Sequence, residues 1–448
     1  MIRHAWTGYY THARGSDELC PQSKRGHNWT ASASMLFTPV DSLDTLLLAG
    51  LKTEFAQAKA LVVDSLDFDA VHNHVNAFET TIRILGGLLS GFELDGDKAL
   101  LAKAKDLADR MINIFNTPTG FPNNLAKVDD RTSFSGSVSL ATAGTHQIEY
   151  QYLSDVTGDL KYAAVALHTF EQIHAIPTKY PGLAPMYLNT FDERYSVAGE
   201  SDSYYEYLLK LALATHEPRY RQWYDEASLA IEKHLLVKAR GGKVAYLPNK
   251  EYGKSQNGFH HLSCFAGGMF ALGAVTKNDG NSARLFEIGA ALTRTCFESY
   301  QTAFTKLGGE WVNVDQDGNL KITNHDYLLR PEVVESIFVL WRLTHDQMYR
   351  DMAWAVVQAL DKRCKTEAGY HGLDAHGAPH DRQESFFLAE TLKYLYLTFS
   401  DDDVLPLEQF VLNTEAHPVS IRGFGKRKDP KSWVPIPDAK GLKDALPW

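Results

Sequence analysis

The sequence predicts an all-α fold in which seven inner helices are ringed by seven outer ones. Minor β-hairpins plug or cap one end. Three observations predict it. Helical segments come in two kinds, one apolar nearly all round and one apolar along a single stripe. The two kinds alternate through the chain. Strand signals are few.

The clearest pair comes early. Residues 97–116 put Leu100, Ala104, Leu107, Met111 and Phe115 on one stripe, with Lys98, Lys103, Lys105, Asp109 and Arg110 mostly off it. That is a surface helix with one buried face. Asp97 can cap its start, and Pro118 and Gly120 follow its end. The preceding segment, 77–92, reads AFETTIRILGGLLSGF. It is apolar nearly all round and must be buried on all sides.

The alternation recurs. Inner segments are expected at 40–50, 77–92, 139–153, 203–214, 261–275, 331–343 and 384–398. Outer segments are expected near 52–63, 97–116, 159–175, 218–237, 282–305 and 346–363, with an amphipathic stretch at 2–13 as the seventh. The inner segments start roughly 37 to 70 residues apart, a structural repeat without a sequence repeat. One closed barrel over 1–448 is therefore expected, as a single domain.

Two strand signals stand out. Trp311–Val314, a turn at 315–319 and Leu320–Ile322 read as a hairpin. The turn fails as a calcium loop of the EF-hand kind, because Leu320 stands where glycine is needed and Asp326 where glutamate is needed. Residues 407–414 read as a late strand that plugs one end of the barrel.

Composition narrows the function. Of 448 residues, 44% are apolar and 22% charged, the balance of a globular protein with a large core. The net charge of −10 argues against a nucleic-acid partner and fits a neutral or cationic ligand. The basic run Arg422, Lys426, Arg427, Lys428 and Lys431 reads as a solvated tail. No apolar run approaches the ~20 residues that span a bilayer. No signal peptide opens the chain, since Met1–Trp6 reads as folded protein. The four cysteines form no CxxC pair, which leaves one disulfide or four buried thiols.

The inner helices carry acids on apolar backgrounds: Asp41, Asp44, Glu79, Glu149, Asp202, Glu206, Glu332, Glu335 and Glu390, with Glu415 after the late strand. Burying a carboxylate without a partner is expensive. Glu79 and Arg83 are spaced to pair on one helix face. Glu332 and Glu335 can both point inward. Phe386, Glu390 and Tyr394 share a face, and Pro331 places Glu332 at the start of a helix. Taken singly, such acids are best read as caps or halves of ion pairs, and Asp44, Glu206 and Glu335 stay with that reading. Taken together they build an acidic pit with an aromatic rim. Such a pit suits a polyhydroxylated ligand, because sugar hydroxyls donate to carboxylates and Phe386 can cover an apolar sugar face. Glycoside cleavage develops positive charge that the pit would stabilise.

These motifs resemble one family, the class I α-1,2-mannosidases of glycoside hydrolase family 47. The resemblance is carried in order by VDSLDTL (40–46), FETTIRILGGLLS (78–90), DSYYEYLLK (202–210), HLSCF (261–265), LRPEVVES (329–336), SFFLAETLKYLYL (385–397) and NTEAHP (413–418). It implies an (αα)7 barrel and an inverting, calcium-dependent hydrolysis of terminal α-1,2-linked mannose from mannose-rich oligosaccharides. Under it, Glu332 is the general base, and Glu79 or Asp202 is the general acid. Thr414 is the Ca2+ ligand. Glu335, Glu390 and Glu415 hold coordinated waters, and Arg83, Glu149, His261, Arg330 and Phe386 surround the sugar. Cys264 and Cys296 match the family's disulfide positions, which implies an oxidising, exported or luminal location. Cys20 and Cys364 have no such match. Glu200 departs from the arginine or leucine that helps select the glycan branch in family members. The chain opens directly on the catalytic domain, as exported bacterial members do, and a monomer is expected.

Two other classes compete with the enzyme. A mannose-binding lectin on the same scaffold would need the pit but not the acid–base pair. A different α/α-barrel sugar enzyme, an epimerase or lyase, would not need the calcium threonine. His371, His376 and His380 read as a surface loop rather than a zinc site.

Overall fold

The computed structural model describes residues 1–188, 191–424 and 433–448. Among these residues seven inner and seven outer helices form an (αα)7 barrel. The inner helices are α2 (Phe37–Leu48), α4 (Gly86–Asp95), α6 (Gln147–Thr157), α8 (Asp202–Thr215), α10 (Ala266–Val275), α12 (Glu332–Thr344) and α14 (Leu392–Phe399). The outer helices are α1 (Ile2–His12), α3 (Lys52–Ser65), α5 (Lys98–Met111), α7 (Leu160–His174), α9 (Pro218–His234), α11 (Ser282–Thr302) and α13 (Gln347–Arg363). Each inner helix from α2 to α12 packs on the outer helix that follows it. Successive inner helices touch, and Phe387–Thr391, which leads into α14, returns to α2 and closes the ring.

The apolar patterns explain who sits where. On α8 nearly every side chain is buried, whereas α5 buries only Leu100, Ala104, Leu107, Ala108 and Met111. The α5 stripe is the one expected from sequence, and Phe115 continues it in a short 3-10 turn. Two expected inner segments are broken. Residues 139–153 form a short helix, Leu140–Ala143, and then α6. Between them Gly144 lies so close to Tyr204 that a Cβ would meet its ring at 2.6 Å. Residues 261–275 begin as a 3-10 turn, His261–Phe265, before α10.

One end of the barrel is made of tight reversals. Helices α4, α6, α8 and α12 end on a left-handed residue, Gly96, Gly158, His216 and His345. The next residue in each case is an acid: Asp97, Asp159, Glu217 or Asp346. Its side chain accepts a backbone N–H from the first turn of the following outer helix. The left-handed residue turns the chain and the acid caps the new helix. All long connections therefore fall at the other end, where the N-termini of the inner helices converge.

The hairpins occupy the remaining space. Trp311–Val314 pairs with Leu320–Asn324 as expected, and Gly258–His260 adds a third strand. The late strand is shorter than expected, Phe410–Leu412, and pairs antiparallel with Pro418–Ser420. This hairpin packs against α8 and α4 and fills the barrel. Its turn, residues 413–417, carries Thr414 into the pit. Cys264 and Cys296 form a disulfide that ties α11 to the start of α10. Cys20 and Cys364 are free and buried.

Two expectations fail. Arg422 is not part of a solvated tail. It is buried, and its guanidinium donates to Asp155 at 2.8 and 3.2 Å and to the Val434 carbonyl at 2.8 Å. Asp155 is a buried acid at the end of an inner helix, and its need for a partner outweighs the local run of basic residues. Lys426, Arg427, Lys428 and Lys431 lie outside the described residues. His371 is also buried, beside the Gly372 carbonyl, while His376 and His380 are exposed as expected. The hairpin strands around His371 fold it inward.

Candidate active site

A pit of about 650 Å³ opens at the N-terminal ends of the inner helices. Glu79, Arg83, Asp202, Arg330, Glu332, Phe386, Glu390, Thr414 and Glu415 all line it. Asp202 and Glu332 are the first residues of α8 and α12, and Glu79 ends the short helix Ala77–Glu79 that leads into α4. Helix N-termini aim positive dipole ends at the pit, which favours carboxylates there. Glu149, His261 and Glu335 stand one layer behind the wall.

Local backbone irregularity sets the aim of these groups. Thr80–Leu85 and Phe387–Thr391 are π-helical turns, which are frequent at functional sites. They present Arg83 and Glu390. The Ile82 carbonyl in the first accepts the Asn413 Nδ2–H at 2.9 Å. Leu329, Glu200 and Ala416 are non-glycine residues with positive φ of 64°, 73° and 58°. Such conformations persist only where surroundings hold them. Thr391 donates its hydroxyl to the Leu329 carbonyl at 2.6 Å and does this for the turn before Arg330.

Arg83 is the hub of one wall. Its Nε donates to Glu79 at 2.7 Å and its Nη1 to Glu415 at 2.5 Å. The guanidinium lies between the rings of Trp29 and Phe386, 5.5 and 5.4 Å from their centroids. On the opposite wall, His261 Nδ1 lies 2.8 Å from Glu332, and Arg330 donates to Glu310 at 2.6 Å. The acids assigned to ion pairing from sequence are paired. Glu206 and Glu335 share Lys210, and Asp44 meets Lys393 at 2.8 Å and His417 at 2.7 Å. Glu149 accepts from Tyr207 at 2.6 Å and from Asn413 at 2.7 Å.

The electrostatics separate the carboxyls. Burial would raise Glu332, but His261 and Arg330 beside it hold it below the ordinary range. Burial pushes Asp202 up to about 7, helped by the charges of Glu206, Glu332 and Glu200. Burial also raises Glu390 and Glu415 well above the ordinary range, reinforced by neighbouring acids. One pit therefore holds a carboxyl with lowered proton affinity, Glu332, among carboxyls whose affinity is raised, Asp202, Glu390 and Glu415. That is the division of labour acid–base catalysis requires.

Several supporting residues were not singled out from sequence. Asn413 links the π turn, Glu149 and the turn bearing Thr414, and accepts the N–H groups of Glu415 and His417. Lys393 had a signal, being a lysine within the apolar run FLAETLKYLYL. Trp29 and Glu310 had none, because their contacts to Arg83 and Arg330 cross long stretches of chain.

The chain is similar to known proteins over most of its length. The chain is 41% identical over 443 residues to mannosyl-oligosaccharide 1,2-alpha-mannosidase IB of Mus musculus, covering 94% of this chain and 69% of that one. It is 38% identical over 447 residues to mannosyl-oligosaccharide 1,2-alpha-mannosidase MNS1 of Arabidopsis thaliana, covering 96% and 78%. The solved alpha-1,2-mannosidase from Trichoderma reesei superposes with a TM-score of 0.87 at 28% identity, covering 94% of this chain and 97% of that one. A D-mannose isomerase superposes at 0.58 with 13% identity, covering 73% and 87%, which shows the fold alone. Residues 1–421 match the model of glycosyl hydrolase family 47, and the chain belongs to that family.

Proposed function

We propose that this chain is an inverting, calcium-dependent exo-α-1,2-mannosidase that removes terminal α-1,2-linked mannose from mannose-rich oligosaccharides. The observation that carries the reading is the convergence of Asp202, Glu332 and Thr414 on one pit, and it is supported by the lowered proton affinity of Glu332 beside the raised one of Asp202.

Glu332 takes a proton from water as the water oxygen bonds to the anomeric carbon. The bond from that carbon to the leaving oxygen breaks, and a carboxyl across the sugar gives that oxygen its proton. An inverting pair of carboxyls stands ~6.5–9.5 Å apart to admit the water. Asp202 and Glu79 are the two candidate donors. The raised affinity of Asp202 for its proton favours Asp202, whereas Glu79 is tied to Arg83. The other acids of the pit stabilise positive charge developing on the sugar ring.

The donor set suits a hard cation. In the pit lining, the oxygen donors Glu79, Asp202, Glu332, Glu390, Thr414 and Glu415 outnumber the cations Arg83 and Arg330. Burial, reinforced by neighbouring acids, raises Glu390 and Glu415, and a cation would offset both effects. Among the described residues, no three His, Cys, Asp or Glu side chains form a ready chelating group. Thr414 would therefore supply the direct protein oxygens, with the carboxylates acting through water. When bound, Ca2+ would supply orientation and polarisation of the sugar hydroxyls and water.

The disulfide supports an exported or luminal setting. Among the described residues no helix is long and apolar enough to cross a membrane. One catalytic domain over 1–448 is part of this reading.

The test is mannose release from α-1,2-mannobiose with calcium, followed by NMR. β-Mannose as the first product supports inversion. No release across a range of pH, with the sugar still bound, would replace this reading with the lectin one.

A further inference from the structure

We infer that a second carbohydrate-binding groove lies beside the pit, on the outer face of the sheet Gly258–His260, Trp311–Val314 and Leu320–Asn324. The inference rests on the mannosidase reading and deepens it: the groove would hold a remote branch of a mannose-rich glycan while one terminal mannose occupies the pit.

The groove measures about 870 Å³, within the size range of ligand sites. Its floor follows from strand alternation. Val312, Val314, Leu320 and Ile322 point into the core, so Trp311, Asn313 and Lys321 face out together. Trp311 is partly exposed and donates its indole N–H to Asn313 Oδ1 at 2.7 Å, which fixes the ring. A fixed aromatic face beside polar groups is the surface that a sugar's C–H face and its hydroxyls require.

Five amides line the groove beside the charged Asp315 and Lys321, and four of them are held by a hydrogen bond. Asn249 accepts from Ser196 through Oδ1 at 2.6 Å, and Asn313 accepts from Trp311. Gln256 donates to Glu251 at 3.0 Å and Asn319 to Asp315 at 2.9 Å through their amide nitrogens. Asn249 and Asn313 thus keep their NH2 ends for a ligand and Gln256 its carbonyl end, whereas Asn319 also accepts from Arg240 through Oδ1 at 3.5 Å. Two donors and one acceptor oriented in advance match hydroxyls, which both give and take hydrogen bonds.

The groove adjoins the pit. Trp311 pairs in register with His260, and their rings meet edge to face. Residue 310, just before it, is the Glu310 that holds Arg330 in the pit wall. The next residue after His260 is His261, which faces Glu332.

The test compares a branched mannose-rich glycan with α-1,2-mannobiose, which is too short to reach both sites. In Trp311→Ala the ratio of kcat/KM, glycan over disaccharide, should fall by about tenfold, carried by KM. In Asn313→Ala it should fall by about threefold. A ratio within twofold of the parent in both variants overturns the inference. Equal loss on both substrates also overturns it, since Trp311 would then only brace the pit wall. Calorimetry on Glu332→Gln with and without Trp311→Ala reads the same ratio as affinities. That arm decides the groove even if the parent chain proves not to hydrolyse mannobiose.

Discussion

His261 sits between Glu332 and Tyr300: its Nδ1 lies 2.8 Å from a Glu332 oxygen and its Nε2 2.7 Å from the Tyr300 hydroxyl. The first contact is close but off the line of a good hydrogen bond, so it acts mainly through charge and dipole. In the tautomer with its hydrogen on Nδ1, the ring turns that hydrogen to the carboxylate and Nε2 accepts from Tyr300. His261, together with Arg330, thus holds Glu332 below the ordinary glutamate range against the effect of burial.

Glu332→Gln keeps the shape and removes the base. Turnover of mannobiose should fall by about 10²–10⁴-fold. Binding of mannose by calorimetry should persist, and the circular dichroism should match the parent. Full turnover in this variant would remove Glu332 from the mechanism.

The two carboxyls set the pH profile. Activity should rise as Glu332 ionises, below the usual glutamate range, and fall as Asp202 loses its proton near pH 7. In Asp202→Asn the alkaline limb should vanish along with most of the rate. If the limb stays in place, Glu79 or another group is the acid. Stability follows with the opposite sign from a salt bridge. Asp202 binds its proton more tightly folded than unfolded, so its contribution is largest below the unfolded value and is lost as pH rises towards 7. Asp202→Asn should therefore melt on the order of a few degrees higher than the parent at pH 8.

Calcium should stabilise as well as activate. At 100 times its dissociation constant, a ligand specific to the native state adds about 2.7 kcal/mol. The melting temperature of the parent should rise with calcium and fall with a chelator. Thr414→Val, which lacks the hydroxyl, should lose most of that rise. An equal calcium shift in both proteins would move the ion away from Thr414.

Lys393 neutralises Asp44 in the floor of the barrel. Lys393→Met should cost about 3–5 kcal/mol in urea melts, the usual penalty for stranding one member of a buried pair. In the parent, Lys393 and His417 offset burial and hold Asp44 far below its ordinary value. That stability is present above about pH 4 and is lost as pH falls further. In Lys393→Met the acid-side loss should shrink. An unchanged acid limb would mean His417 alone carries Asp44.

The disulfide closes a separation of 32 residues. Replacing Cys264 and Cys296 together by Ser should cost about 3–4 kcal/mol by chain entropy. Urea melts of the two oxidised proteins measure it. Cys20 and Cys364 should resist thiol labelling until the chain unfolds, because both are buried.

Much of the fold was legible because helix burial writes itself as period. The α5 stripe and the all-round apolar α4 and α8 separate outer from inner helices without any tertiary knowledge. The acidic cap Asp97 marks one outer-helix start in the same local way, and the structure adds Asp159, Glu217 and Asp346. The breaks at Gly144 and before Ala266 were not legible, because each answers a neighbour distant in the chain, Tyr204 in the first case.

Arg422 and Glu335 show the same divide from the side of charge. Arg422 lies among basic residues and reads as solvated, yet Asp155, 267 positions away, draws it into the core. Glu335 was assigned to an ion pair, but the identity of Lys210 required α8 and α12 to face each other.

Residue type, periodicity and helix caps are properties of short segments, so the barrel, its acid-bearing inner helices and the seven family motifs could be read directly from the chain. Which carboxyl keeps its proton depends on burial and on charges brought in from other helices. Burial lifts Asp202 to about 7, with Glu206, Glu332 and Glu200 adding to it, whereas at Glu332 the same burial is outweighed by His261 and Arg330. That arrangement exists only once the ring of inner helices has closed.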